Sequence, residues 1–128
     1  MSYKMYSFEK LHVWTDIRHL IKTVYMITST FPENEKFGLV SQMRRSSISI
    51  SSNLAEGSSR TSSKDQAHFY QMAYSSMMEL LSQGIVCSDL NYITDEIYDD
   101  LRNEIQTISF KLNALRKSTL NPQSTSTP

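Results

Sequence analysis

The chain has 128 residues and a mass of 14.8 kDa, which fits a single domain and leaves no room for a separate catalytic domain. With 39% hydrophobic residues but only three glycines and three prolines, the composition favours long helices over a turn-rich β architecture. The formal net charge is zero, so a charged surface can arise only from an uneven distribution of charge.

The sequence contains a single cysteine, Cys87. It excludes an intrachain disulfide and a cysteine metal cluster within one subunit, and it fits a reducing compartment. The first ten residues lack the continuous apolar core of a signal peptide, and no run approaches the ~18 apolar residues of a membrane span. We therefore expect a soluble, cytoplasmic protein with no membrane contact.

The first predicted helix runs from about Glu9 to Ser29, after an N-terminal extension of residues 1–8. Pro32 then breaks the helix, and Thr30 with Glu33 predicts a capping box for the next one. The apolar arc of the first helix is wider than one neighbouring helix would cover. Its apolar residues form two adjacent stripes, Val13, Ile17, Leu20, Val24 and Ile27, and Trp14, Ile21 and Tyr25.

The second predicted helix is rich in serine, and its small side chains would let a neighbouring backbone approach closely, from this chain or from another copy. Residues 47–51 alternate Ser-Ile-Ser-Ile-Ser, which is also typical of a strand, but no second strand-like run exists to pair with it. Gly57 predicts a left-handed helix end, followed by a loop over residues 58–63. The core face of this helix has helical spacing and consists of Leu39, Met43, Ser46 or Ser47, Ile50 and Leu54.

Ser63 with Gln66 predicts a capping box for a third helix that starts near Lys64. Its first apolar stripe is Phe69, Ala73, Ser76, Leu80 and Cys87. A second stripe lies about 100° around the helix, and exposed together it would form a patch of the kind that a partner usually covers. We expect this second stripe at an intersubunit interface; it consists of Tyr70, Tyr74, Met77 and Leu81.

Thr94 predicts the cap of a fourth helix with a heptad-like apolar stripe, formed by Ile97, Leu101, Ile105, Ile108, Leu112 and Leu115. Comparable helix lengths and short connections favour an all-α, antiparallel up-and-down four-helix bundle over residues 9–118. The polar residues 119–128 are predicted to form a disordered tail.

The chain resembles the four-helix-bundle proteins encoded in 23S rRNA intervening sequences, from about Phe8 to Leu115. Members are also filed under a ribosomal-protein name, and they are similar to the accessory variability proteins of diversity-generating retroelements. The resemblance implies a four-helix bundle that assembles into a ring-like pentamer, and it implies a fold more firmly than a function. The residues that carry it are Val13-Trp14, Phe31-Pro32, Glu35, Gly38-Leu39, Ser41-Gln42, Arg44-Arg45, Ser49-Ile50, Asn53 to Gly57, Phe69, Ala73, Ser76 and Glu79.

Charge is distributed unevenly along the sequence. Residues 36–64 carry five basic residues against Glu56, a balance of +4, whereas residues 65–104 carry eight acids against Arg102, a balance of −7. This asymmetry is consistent with a basic patch beside an acidic face, or with attraction between neighbouring helices or subunits. The candidates for contact with RNA or DNA are Arg44, Arg45, Arg60 and Lys64.

Four cations are few for a monomer that binds nucleic acid, although a pentamer would present about twenty. Tyr70 and Tyr74 can stack on unpaired bases, but a tyrosine stripe at helical spacing favours packing. Structural polar roles or interface roles are expected for Asn53, Glu56 and Glu79. For the two carboxylates, contact with an arginine is favoured over an acid–base pair.

No pattern in the sequence favours catalysis. The serines lack the Gly-x-Ser-x-Gly turn of a nucleophile, and no Walker loop or dinucleotide fingerprint is present. His12 and His19 can share a helix face, but only Asp16 lies suitably between them, so we predict neither a metal nor a cofactor. The sequence thus predicts a non-enzymatic oligomeric scaffold or adaptor that contacts nucleic acid; the alternative is a protein-interaction module without a nucleic-acid role, and an enzyme is the third possibility.

Overall fold

The computed structural model describes residues 2–121, and most of them lie in four long helices. These are α1 (His12–Thr28), α2 (Ser41–Ser59), α3 (Ser63–Asp89) and α4 (Asp95–Leu120). Short connections make successive helices antiparallel, and α4 returns to lie beside α1. Residues 2–121 contain no β-strand, and residues 47–51 are helical. The predicted all-α four-helix bundle is confirmed.

Each helix contributes one apolar face to a single core, as the spacing of three and four residues predicted. The second stripe of α1 packs against the edge of this core through Trp14 and Ile21, which remain partly buried. Met43 and Cys87 meet in the core, where Sδ of Met43 lies 3.4 Å from Sγ of Cys87. The largest fully buried side chains are Val13, Ile17, Leu20, Met43, Ile50, Leu54, Met77, Leu80, Leu101, Ile105, Ile108 and Leu112.

The prediction that Gly57 ends α2 in a left-handed conformation is wrong. The helix continues to Ser59, and no glycine among residues 2–121 has a positive φ. A Cβ at Gly57 would lie 2.7 Å from Cε1 of Tyr70 and 2.9 Å from Cβ of Phe69. Glycine is therefore needed because α3 approaches α2 closely here, and the connection shortens to residues 60–62.

Two predicted helix caps are also wrong. The Thr30 hydroxyl donates to the carbonyl oxygen of Ile27 at the end of α1, so it does not cap the next helix. A 3₁₀ turn, Glu33–Glu35, and a kinked turn, Lys36–Val40, with non-helical backbone angles at Gly38 (φ −104°, ψ −112°), lead into α2 instead. The cap of α3 is Ser62, one residue earlier than predicted, because its hydroxyl accepts from the Asp65 N–H.

The ends of the bundle also differ in detail from the prediction. The first predicted helix divides into a 3₁₀ turn, Ser7–Lys10, and α1. The Thr94 cap of α4 is confirmed, because the Thr94 hydroxyl accepts from the Ile97 N–H at 3.2 Å. The last helix reaches Leu120, two residues beyond the predicted boundary at 118. The remaining residues of the predicted tail, 122–128, lie outside the described part of the chain. Among the helices of residues 2–121, none is long and apolar enough to cross a membrane.

Candidate functional site

Arg44, one of the four predicted nucleic-acid contacts, joins α2 to the end of α1. Its Nε donates to the Thr28 hydroxyl at 3.0 Å, and Nη2 donates to the Tyr25 carbonyl at 3.4 Å. The guanidinium also lies 4.5 Å from the centre of the Tyr25 ring. A cation beside the last carbonyl groups of a helix stabilises that helix end. Arg44 thus has a structural role, in which two of its five N–H donors are bonded to the end of α1.

Arg45 lies on the surface between α2 and α3. Its Nη2 donates to Oε1 of Gln42 at 2.6 Å and lies 3.8 Å from Oε1 of Glu79. The Glu79 carboxylate also accepts from the buried Ser46 hydroxyl. Both charged side chains are largely exposed, so their ion pair contributes little to stability. As expected, Glu79 pairs with an arginine and not with a second carboxylate.

Arg60 and Lys64 lie at the opposite end of α2 from Arg44. The Arg60 guanidinium lies 4.4 Å from the centre of the Phe69 ring and 3.8 Å from Glu56, while Lys64 is exposed in the first turn of α3. The rise of 1.5 Å per residue places Arg60 roughly 24 Å along the bundle from Arg44. The four predicted contacts therefore form two separate pairs and not one patch.

The antiparallel arrangement brings other cations to the end of the bundle that holds Arg60. The Ser7 hydroxyl lies 3.2 Å from the carbonyl oxygen of Ser58, which places the N-terminal segment at this end, and α4 ends here as well. We call the cations at this end of the bundle the basic end. They outnumber the nearby acids, Glu9, Glu56 and Asp65, by three. The basic end consists of Lys4, Lys10, Arg60, Lys64, Arg116 and Lys117.

The opposite end of the bundle carries an acidic corner around the α3–α4 connection. No basic residue occurs between residues 80 and 101. This separation is not visible in the distribution of charge along the sequence, because the antiparallel fold combines three distant segments at the basic end. The acidic corner consists of Asp89, Asp95, Glu96, Asp99 and Asp100.

The four side chains expected at an intersubunit interface do not share one exposed face. Tyr70 is 4% exposed and Met77 is fully buried within the core of the same chain, and burial raises the pKa of the Tyr70 hydroxyl. Tyr74 and Leu81 are half-buried and line a groove between α3 and α4. The expected patch is absent because the bundle core uses part of both stripes of α3.

The remaining polar candidates have local partners. The Asn53 amide donates to the Ser49 carbonyl oxygen at 2.9 Å, one turn earlier in α2. Ser46, which meets Glu79, lies ten residues before Glu56, so the two carboxylates are roughly 15 Å apart along the bundle. This separation does not suit acid–base catalysis by the pair.

Cys87 is the strongest potential nucleophile by residue type, but its surroundings suppress that reactivity. It is fully buried, and desolvation together with the negative charge of Glu35 raises the thiol pKa to about 11. A thiol is nucleophilic as its thiolate, so almost none is reactive near neutral pH. Within residues 2–121, no group of three His, Cys, Asp or Glu side chains is arranged to hold a metal ion.

A groove between α1 and α4 lies at the end of the bundle that carries the acidic corner. It is open to solvent, has a volume of about 310 Å³ and a largely apolar lining, and the Met26 side chain at its edge is 71% exposed. The wide apolar arc of α1 predicted excess apolar surface on this helix, but not where on the helix it would lie. We call this surface the α1–α4 groove; it is lined by Thr23, Met26, Ile27, Thr30, Ile93, Ile97, Asp100 and Leu101.

The fold and these surfaces define a small helical-bundle protein with charged and apolar surfaces outside its core. A family model described as 23S rRNA-intervening sequence protein matches residues 9–114. The chain therefore belongs to this family, as its resemblance indicated. Among curated proteins, none matches the chain.

A solved structure supports the fold. It is a crystal structure of a protein with unknown function from the S23 ribosomal protein family of Bacteroides thetaiotaomicron, and it is similar to this chain with a TM-score of 0.76. The match covers 82% of this chain and 98% of that chain, at 22% sequence identity. At this level of identity, the similarity establishes a shared helical architecture.

Proposed function

We propose that this protein is a non-enzymatic, oligomeric scaffold that contacts nucleic acid through the basic end of its bundle. The observation that supports this proposal is the segregation of charge in a chain whose formal net charge is zero. Six cations from the N-terminal segment, the α2–α3 connection and the end of α4 lie at one end of the bundle, while the acidic corner lies at the other end. Such a dipolar molecule would present its basic end to a polyanion.

The basic end also carries aromatic side chains that suit unpaired bases. Tyr3 is 79% exposed and Tyr6 is 59% exposed, and Lys4 Nζ lies 5.4 Å from the centre of the Tyr6 ring. Stacking of bases on aromatic rings, combined with nearby cations, is a common way to bind single-stranded nucleic acid without sequence preference. We therefore favour unpaired RNA or DNA over duplex as the ligand.

Oligomerisation would multiply this surface. One basic end offers few phosphate contacts, and affinity for nucleic acid grows with the number of counterions released. Several basic ends on one face of a ring would bind a single strand together. We propose a homo-oligomer, with five copies as the number that the family resemblance implies, and its cytoplasmic setting stays a prediction.

The test measures binding of a labelled single-stranded RNA by fluorescence anisotropy across a salt series. Each lost phosphate contact should reduce the slope of log affinity against log salt by about 0.7 for a single strand. Replacing Lys64 and Lys117 with glutamine should therefore reduce the slope by roughly 1.4. The matched control replaces Arg18 and Lys22, two exposed cations on the side of α1, with glutamine.

Equal slopes and equal affinities for the two double variants would overturn the basic end as the binding surface. No binding by the wild-type protein at low salt would overturn the nucleic-acid function. The protein-interaction module would then be the better description, because Met26, Phe37 and Phe110 are each more than 70% exposed and large exposed apolar side chains are typical of protein contacts.

A further inference from the structure

Phe37 has the largest exposed fraction among the large apolar side chains of residues 2–121, at 88%. It lies on the kinked turn Lys36–Val40, which is held in place by the Glu35 carboxylate. That carboxylate accepts from the Leu39 N–H at 3.4 Å and from the Tyr92 hydroxyl at 2.8 Å. The turn is thus anchored to the α3–α4 connection, and it presents the phenyl ring to solvent at a defined position.

The α1–α4 groove has the size and lining to receive such a ring. Its volume is about 310 Å³, whereas an apolar cavity of about 150 Å³ already holds a benzene molecule. Ile97, at 39% exposure, and Met26 leave apolar surface open to solvent in the free chain. Covering this surface with a phenyl ring would remove apolar area from water on both partners.

Charge complements this match in shape. The Lys36 ammonium lies 5.6 Å from the centre of the Phe37 ring, so a positive charge accompanies the phenyl group. Asp100 lines the groove, and Glu96 lies four residues before it, on the same side of α4. A cation next to an apolar anchor therefore faces an apolar groove with an acidic rim.

We propose that Phe37 of one copy of this chain inserts into the α1–α4 groove of a second copy, with Lys36 facing Asp100. The two surfaces differ, so the contact is head-to-tail and can be repeated around a ring. Closure requires the two surfaces to lie at similar heights along the ring axis. Both lie at one end of the bundle, since the turn enters α2 and the groove joins the end of α1 to the start of α4. This inference rests on the oligomer in the proposed function, but not on the number of copies.

The first test is the mass of the Phe37→Ala variant, measured by sedimentation across a concentration series. Removal of a central aromatic anchor should weaken self-association roughly thirtyfold or more. The matched control is Phe110→Ala, which removes a phenyl ring that is 75% exposed on α4. It should keep the wild-type mass, and thermal unfolding of both variants verifies that the fold persists.

A second test measures by cross-linking whether the two surfaces are in direct contact. Chains with Phe37→Cys are mixed with chains with Ile97→Cys, and oxidation should join them into a mixed disulfide dimer. Chains with Phe110→Cys replace the Phe37→Cys chains in the control and should not cross-link to Ile97→Cys. Reversal of charge is a third measurement: Lys36→Glu should weaken association, and Asp100→Lys in the same chain should restore it.

The outcomes separate this inference from the proposed function. An oligomer that survives Phe37→Ala and gives no cross-link between positions 37 and 97 would overturn the contact but leave the scaffold intact. A wild-type protein that is monomeric at all concentrations would overturn both. Nucleic-acid binding by a monomeric Phe37→Ala variant, with weaker affinity than the wild-type oligomer, would support the contact and the basic end together.

Discussion

The α2–α3 side of the bundle and its α1–α4 side are built on different principles. Between α2 and α3, the small residues Ser46 and Gly57 are buried, and the helices approach until a single added methyl group would clash. Between α1 and α4, an apolar groove remains open at one end. The first side is closed by its own residues, whereas the second leaves apolar surface for another molecule.

Polar contacts differ in the same way. The α2–α3 side joins Ser49 to Ser76 by a hydrogen bond of 2.9 Å between partly buried hydroxyls, which need little space. The α1–α4 side is bridged by longer side chains, with His19 Nδ1 2.7 Å from Oε1 of Glu104 and Lys111 bonded to Asp16. The α2–α3 side has a contact of this kind in the exposed pair of Arg45 and Glu79. Long side chains bridge α1 and α4, which approach each other less closely than α2 and α3 do.

The largest expected effect on stability comes from replacing one isoleucine on each side with alanine. Ile50 of α2 is fully buried, whereas Ile97 of α4 is 39% exposed in the groove. We expect Ile50→Ala to lower the free energy of unfolding by about 2–5 kcal/mol. The same change at Ile97 should cost less than about 1 kcal/mol in the monomer, because it leaves no closed cavity. Urea unfolding measures both, and similar losses would contradict the difference between the two sides.

A smaller effect is expected at the glycines of the closed side and of the α3–α4 contact. Gly57→Ala should lower the free energy of unfolding by about 1–3 kcal/mol, because the added Cβ overpacks the contact with Tyr70. The control is Gly84→Ala, whose Cβ would lie 3.3 Å from Cδ2 of Leu101, a contact that a shift of a few tenths of an ångström relieves. Alanine is also the better helix former by about 1 kcal/mol, so Gly84→Ala should be neutral or stabilising. A stabilising Gly57→Ala would show that α3 can move away.

The smallest expected effect is the difference in stability loss between substitutions of two adjacent arginines. Arg44→Gln removes two hydrogen bonds at the end of α1 and should cost about 1–2 kcal/mol. Arg45→Gln removes only an exposed ion pair with Glu79, which should cost less than about 0.5 kcal/mol. Thermal unfolding of the two variants under the same conditions measures the difference. Equal losses would mean that Arg44 does not hold α1 and α2 together.

Much of the fold was predictable because it depends on short-range patterns. Apolar residues spaced by three and four residues identified the four helices and most of their buried positions. The Thr94 cap was also predictable, because the hydroxyl needs only an N–H three residues away. The cap of α3 was less predictable, because Ser62 and Ser63 both precede its first turn and compete for the same backbone groups. The start of α2 was also less predictable, because its N-cap residue, Val40, makes no side-chain hydrogen bond.

The candidate site was less predictable, because it depends on which distant segments the bundle brings together. The sequence by itself determined the helices, their apolar faces and the membership of Arg60 and Lys64 in a basic region. Only the tertiary structure decided that Arg44 holds the end of α1, that Tyr70 and Met77 are core residues, and that Lys4, Lys10 and Lys117 join the basic end. The physical reason is that helical periodicity specifies which side chains share a face, whereas the neighbours of that face are chosen by packing between segments far apart in the chain.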